Sequence, residues 1–460
     1  MRATAPSIIV APVVGNPRLT GVVAFLAALA AGTGILLWLV FSFMPIRASA
    51  TGPFFAWAQT PADTTRASRR ALASSWPMFG GSPARTRFVP SALRPPFAVR
   101  YTVPGGGGLI EMPPAVSRGR VVFGTHAGRV VAFRLTDGKR LWVTRLGTCI
   151  ASSPAVRGGV VYVGWAGRAP CSSHKDEHGG VVALRLGTGR VLWRFHAGNV
   201  ESSPAIVGNG LFFSAFRNRQ ESRVYAMRLD PPRQVVWSFP IASKVASSPA
   251  LVGRTIYVSA YNRRLYALNA TSGHLLWRAS AFSDNLGARL LLGVRSLVRK
   301  RSWTESGYYA TPAVAYRRVY LGTIDGTFTA FDAVTGVPRW SRALGSSVYG
   351  SAAVAHEVVY VGTTDGVFHA LSARTGRELW KRDLGGPIYG SATVTNGHVF
   401  VATFARETHV LDARTGDVEW RFPDVRYSAV VVAGRRALLI GKGRVYGLEK
   451  RHAPAGWRAS

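Results

Sequence analysis

Two groups of residues in this sequence carry side chains able to do chemistry. The first is Cys149 together with the run CSSHKDEH from Cys171 to His178, and these two cysteines are the only ones in the chain. They can pair as a disulfide, persist as two buried thiols, or join His174 and His178 as the Cys₂His₂ set that zinc accepts. The second group is Glu111, Glu201, Tyr309, Tyr349 and Tyr389, with Asn199 and Lys244 close to Glu201 in sequence. Two carboxylates, three phenols, an amide and an ammonium make a ligand-like set only if the fold gathers them. They are scattered over some 280 residues, so a repeating scaffold would have to do it.

That repeat is present. Each unit opens with an SSPA-like start, passes a Gly turn, a VYVG-like run, a second turn and a VYAL-like run, and ends on Thr-Gly and a Trp. Clear copies are SSPALVGRTIYVSAYNRRLYALNATSGHLLW ending at Trp277, TPAVAYRRVYLGTIDGTFTAFDAVTGVPRW ending at Trp340 and SAAVAHEVVYVGTTDGVFHALSARTGRELW ending at Trp380. Asn209-Gly210 and Asn396-Gly397 stand between the first two runs, Asp325-Gly326 and Asp365-Gly366 between the second and third. These are hairpin turns, so each unit is a four-stranded antiparallel meander.

The unit-ending residues Trp142, Trp193, Trp237, Trp277, Trp340, Trp380 and Trp420 are spaced by 51, 44, 40, 63, 40 and 40, against about 40–45 residues for a propeller blade. After Trp420 three more strands are expected, near Tyr427 to Val432, Ala437 to Ile440 and Arg444 to Leu448, with no fourth behind them. The missing strand is expected at the other end, over 97–103, because Tyr101 precedes Trp142 by 41 residues. The count gives an all-β, eight-bladed propeller whose last blade is closed from both termini, which removes open sheet edges. Aligning the units on the SSPA proline puts Glu111, Ala151, Glu201, Ala246, Tyr309, Tyr349 and Tyr389 at one position, where the first strand enters the central channel. Polar side chains around a wet channel are the plain reading of that ring; a ligand-binding mouth is the sharper one.

The segments ALNATSGHLLW, AFDAVTGVPRW, ALSARTGRELW and VLDARTGDVEW resemble the tryptophan-docking motif of the pyrroloquinoline-quinone (PQQ) repeat family, and WPMFGGSPARTRF from Trp76 resembles its usual lead-in. The resemblance covers residues 76–450. It implies an eight-bladed propeller in which Tyr101 and the seven tryptophans are structural docking residues over Thr-Gly turns. The family holds both quinoprotein dehydrogenases and non-enzymatic BamB-like envelope scaffolds. Its enzymes share a vicinal cysteine pair over the quinone, a Ca²⁺ site of Glu and Asn, and an Asp base. Here no Cys-Cys occurs, no clear Asp joins the mouth, and no haem-attachment C-x-x-C-H, G-x-S-x-G elbow, P-loop or H-E-x-x-H is found. The expectation is a non-catalytic scaffold without cofactor. The alternative is a divergent oxidoreductase using Glu201 and Asn199 around Ca²⁺ and PQQ.

Residues 19–46 contain no charge and are bracketed by Arg18 and Arg47, longer than the roughly 20 residues a bilayer needs. This predicts a transmembrane anchor after a tail over 1–18, followed by a linker over 47–75, the propeller over 76–450 and a tail over 451–460. Two insertions break the repeat, one between Gly164 and Val181 and one after Trp277, and propeller geometry sends both to the same face. Cys149 and Cys171 share that rim; a disulfide there would place the propeller outside the cytoplasm. The second insertion, over 280–307, carries LGARLLLGVRSLVRKRSW, a basic amphipathic pattern suited to packing on the rim or to docking lipid or a partner. The net charge is +35, and only seven of the 57 basic residues are lysines. Arginines are spread through every repeat rather than in one stripe, which argues against a specific nucleic-acid partner and leaves attraction to a protein or an anionic envelope polymer.

Overall fold

The computed structural model describes residues 75–168, 171, 178–218, 220–231, 233–280, 307–424 and 430–451. The hydrophobic span 19–46, the segments around it up to residue 74, His174, the basic segment 281–306 and residues 452–460 lie outside the described residues. Among the described residues no helix is long and apolar enough to cross a membrane.

The strands form eight antiparallel sheets. Blade 1 runs Ala115–Ser117, Arg120–Gly124, Arg129–Arg134 and Arg140–Arg145, and blades 3 to 7 repeat that meander. In blade 8 the inner three strands are Val431–Ala433, Arg436–Gly441 and Arg444–Lys450, and the outer one is Phe97–Pro104, pairing Phe97 with Lys450 and Pro104 with Arg444. Blade 2 departs from four strands. Its second strand extends to Arg168 and takes an extra partner, Thr148–Cys149.

The VYVG-type runs are buried along most of their length, as in Val358–Gly362, because they lie between two neighbouring blades. Outer strands such as Glu378–Asp383 alternate exposed and half-buried residues, one face on the next blade and one in water. In each of the eight sheets the outer strand slips register beside its docking aromatic, as between Ala330 and Phe331 opposite Trp340. The bulge turns that ring toward the neighbouring blade.

Across the junction the ring meets the Thr-Gly turn. Trp340 Nε1 donates to Ala373 O at 3.1 Å, and Tyr320 of the same blade donates its hydroxyl to the same carbonyl at 3.1 Å. Gly376, at φ +72°, lies under the indole; a Cβ there would come within 2.6 Å of it. Gly138, Gly189, Gly273, Gly336 and Gly416 stand in the same relation to Tyr101, Trp142, Trp237, Trp277 and Trp380. Two junctions differ for legible reasons. Trp193 lies beneath the Arg233 guanidinium, 5.7 Å from the ring, because blade 3 has Asp-Pro-Pro-Arg where the turn should be. Trp420 meets Phe97 edge-on at 5.0 Å, since blade 8 is assembled from separate chain segments.

The SSPA start also has a mechanical meaning. Its first serine closes on its own blade: Ser202 Oγ donates to Ser214 O and accepts from Ser214 N, both at 2.8 Å. Its second position ties blades together. Ser153 N donates to Ser203 Oγ, Ser203 N to Ser248 Oγ, Ser248 N to Thr311 Oγ1, Thr311 N to Ser351 Oγ and Ser351 N to Ser391 Oγ, all within 2.8–3.0 Å.

The lead-in from Trp76 does not lie outside the blades; it winds round the channel axis against the innermost strands. The amides of Val116 and Val156 donate to Trp76 O and Pro77 O, and those of Leu251, Val314, Val354 and Val394 to Pro83 O, Ala84 O, Thr86 O and Arg87 O, each at 2.7–2.9 Å. Blade 3 is reached by a side chain instead: Arg85 donates to Ser203 O at 3.0 Å, to Pro249 O at 2.9 Å and to Phe79 O. An innermost strand is otherwise an open edge, so the lead-in satisfies amides that would face the channel and closes the channel at that level.

Candidate functional site

Connections between blades and the loops between second and third strands open on one face of the propeller, and the candidate residues sit there. Cys149 lies in such a connection, Cys171 in such a loop, and the two form a disulfide with Cα atoms 4.9 Å apart. Their sulfurs are therefore not thiolate ligands, and the Cys₂His₂ zinc reading falls with them. His178 is exposed, and its role is a carbonyl that accepts from Trp165 Nε1 at 2.9 Å.

The mouth set divides in two. On one side Tyr309, Tyr349 and Tyr389 form an arc with ring centroids 5.0 and 5.3 Å apart. Tyr261 extends it at one end, 4.7 Å from Tyr309, and Phe404 at the other, 5.0 Å from Tyr389. Tyr309 and Tyr389 are 43% and 39% exposed. Tyr261 is more enclosed; burial, together with its hydrogen bond to Tyr309, pushes its phenol pKa far up. Tyr261 and Phe404 were not singled out from the sequence, yet both occupy the position two residues past the four-residue VYVG-type run, which in blade 1 is His126. Aligning the units on that run as well as on the proline would have found them.

On the other side each charge has a partner. Glu111 Oε2 lies 2.7 Å from His126 Nε2. Glu201 Oε2 lies 3.0 Å from Lys244 Nζ, which also sits over the Phe216 ring at 4.3 Å. Asn199 is fully buried, bridges by its backbone to Phe216, and accepts from Gly167 N through Oδ1 at 3.0 Å. These residues do not fit a Ca²⁺-quinone site. The carboxylate that would hold the metal already carries an ammonium, and the amide oxygen beside it is turned onto the backbone.

Glu111, Tyr309, Tyr349 and Tyr389 line one cavity of about 500 Å³, together with Met112, Pro113, Ala246, Phe404 and the ring of Ser248, Thr311, Ser351 and Ser391. Its floor is the lead-in, through Phe79 and Arg87. Glu201, Lys244 and Asn199 are not on its wall. Arg85 and Arg87 are both completely buried, and burial pulls the pKa of each down to about 9, so both stay charged at neutral pH.

The comparisons agree with this architecture. A family model described as "Outer membrane protein assembly factor BamB" matches residues 25–214, 177–352 and 339–457. No curated protein matches the chain. Among solved structures, BamB from Moraxella catarrhalis is 17% identical at a TM-score of 0.58, covering 78% of this chain and 99% of its own. A europium-containing methanol dehydrogenase is 11% identical at 0.63, over 82% of this chain and 98% of its own. Quinohemoprotein alcohol dehydrogenase from Comamonas testosteroni is 13% identical at 0.65, over 89% and 86%. At such identities these structures speak for the fold alone. The family model spans most of the sequence, so the chain belongs to the PQQ-repeat propeller family described as outer membrane protein assembly factor BamB.

Proposed function

We propose that this propeller is a non-catalytic scaffold on the extracytoplasmic side of a membrane, held by the span 19–46, which binds a protein partner or an anionic envelope polymer at the mouth-bearing face. The observation that carries the reading is the tyrosine arc. Half-exposed aromatics in continuous contact, beside charges already neutralised by neighbours, resemble the anchor of an interface more than a catalytic centre, which needs an unspent acid, base or metal ligand. The Cys149–Cys171 disulfide supports an oxidising compartment. Family membership is compatible with a scaffold, and the residues a quinone enzyme would use are engaged elsewhere.

Purified full-length protein, mixed with PQQ and Ca²⁺ and separated from excess, should carry none of the quinone's absorbance. Stoichiometric retention of the quinone would overturn the scaffold reading and restore the oxidoreductase one.

A further inference from the structure

We propose that the cavity under the mouth is a binding site for a small oxyanion, a molecule carrying one carboxylate or one phosphate group that meets the guanidinium of Arg87. This stands apart from the scaffold reading, since it needs no partner at the rim.

The starting point is an unmet requirement. Arg87 is fully buried, its guanidinium lies 4.2 Å over the Phe79 ring, and Nε, Nη1 and Nη2 have no hydrogen-bond partner. Arg85, equally buried, differs: its nitrogens are taken by the carbonyls of Phe79, Ser203 and Pro249. Neither arginine has a salt bridge among the described residues. Two buried positive charges therefore stand close together without a counter-charge, and one of them leaves every one of its side-chain donors unpaired. A buried charge is tolerated when it is paired and hydrogen-bonded, and costs heavily when it is not. A planar fork of this kind matches a carboxylate or phosphate in bidentate geometry.

The rest of the wall has the same polarity. The oxygens of Ser248, Thr311, Ser351 and Ser391 each accept a backbone amide from the preceding blade, leaving their hydrogens to donate. All four line the cavity with Arg87, and its volume of about 500 Å³ is that of a small-molecule pocket. The single carboxylate on the wall, Glu111, lies toward the mouth with His126. Its charge disfavours a second acidic group and orients a ligand with its anionic end toward the floor. Tyr309, Tyr349, Tyr389, Met112 and Phe404 then enclose the less polar body.

The test is calorimetric titration of the full-length protein in detergent with acetate and, separately, inorganic phosphate, in a bulky sulfonate buffer. Saturable binding of one anion per chain is expected for at least one probe, at least tenfold weaker in Arg87→Met. Acetate alone assigns a carboxylate ligand, phosphate alone a phosphate monoester, and both the shared oxyanion chemistry. Arg87→Met should also melt above the wild type in the same buffer without acetate or phosphate, because it removes an unpaired buried charge, and should lose any rise that these anions bring. Should Arg87→Met fail to fold, Arg87→Lys keeps the charge but loses the fork and should bind several-fold more weakly. No saturable binding of either probe, or binding unchanged by the Arg87 variants, overturns the proposal.

Discussion

The two sides of the mouth handle one structural position in opposite ways. Blades 5, 6 and 7 put Tyr309, Tyr349 and Tyr389 there, and the rings touch one another; blades 1 and 3 put Glu111 and Glu201 there, and each is paired within the chain. On the first side blades 6 and 7 keep the 40-residue step and blade 5 follows the insertion after Trp277, whereas the other side carries the disulfide, the fifth strand of blade 2 and the Asp-Pro-Pro-Arg sequence of blade 3. Regular repetition makes a continuous surface from a single residue type. Divergence gives each position its own chemistry, which then has to be satisfied locally. The lead-in singles out blade 3 alone, serving blades 1, 2 and 4 to 7 by backbone carbonyls and blade 3 by the side chain of Arg85.

The largest expected effect comes from removing the lead-in. A chain beginning at Ala92 keeps the closing strand Phe97–Pro104 but loses Trp76, Arg85 and the acceptors of the Leu251, Val314, Val354 and Val394 amides. A buried Trp alone is worth about 3–5 kcal/mol, so this chain should be insoluble or melt far below one beginning at Ser75. Equal thermal midpoints would show that the lead-in supports neither side.

Next come the blade junctions. Gly376→Ala places a Cβ against the Trp340 ring at a positive φ and should cost more than about 1 kcal/mol. Gly385→Ala, also at positive φ but with nothing within 4 Å, should cost less. Trp340→Ala should cost about 3–5 kcal/mol, and Trp193→Ala less, since Trp193 packs on a solvent-open turn. Urea midpoints for the four variants rank the regular and irregular junctions directly.

At the mouth itself, Glu201→Gln leaves Lys244 largely buried without its carboxylate and should destabilise by about 1–3 kcal/mol. Tyr389→Ala removes exposed ring contacts and should cost about 1 kcal/mol or less. The reverse order would mean that the arc, rather than the paired charges, is the structural side.

The smallest effect is with pH. His369 and His409 on blades 6 and 7 have pKa values held below the ordinary 6.5 by burial, although Glu378 and Glu407 pull the other way. The folded state keeps them neutral, so the unfolded chain takes up protons first as pH falls. Stability is full above about 6.5 and declines below it. The thermal midpoint should drop between pH 7.5 and 5.5, and the double substitution His369→Gln with His409→Gln should flatten that drop.

Much of the fold was legible because the repeat has its physical requirements written in it: a Gly at positive φ under six of the eight docking rings, a hydroxyl at each of the blade-to-blade bonds, and an aromatic, Trp in seven blades and Tyr101 in the eighth, at each bulge. The lead-in was not legible as a channel lining. WPMFGGSPARTRF has no period, and its backbone partners are six other segments of the chain. Arg85 and Arg87 looked like two more surface arginines among 50, and only their burial marks them out. The mouth was half legible. Alignment on the proline found the tyrosines and both carboxylates, but nothing local in the sequence shows that Lys244 reaches Glu201 or that Asn199 turns onto Gly167.

The most direct test of the scaffold account is site-specific photo-crosslinking in intact envelope membranes, with the photoreactive residue at Tyr389 or at Leu379. Both are exposed, the first on the mouth arc and the second on the outer strand of blade 6. A discrete adduct from Tyr389, with none from Leu379, is the predicted result. Adducts of equal yield from both positions, or none from Tyr389, would contradict a partner at the mouth.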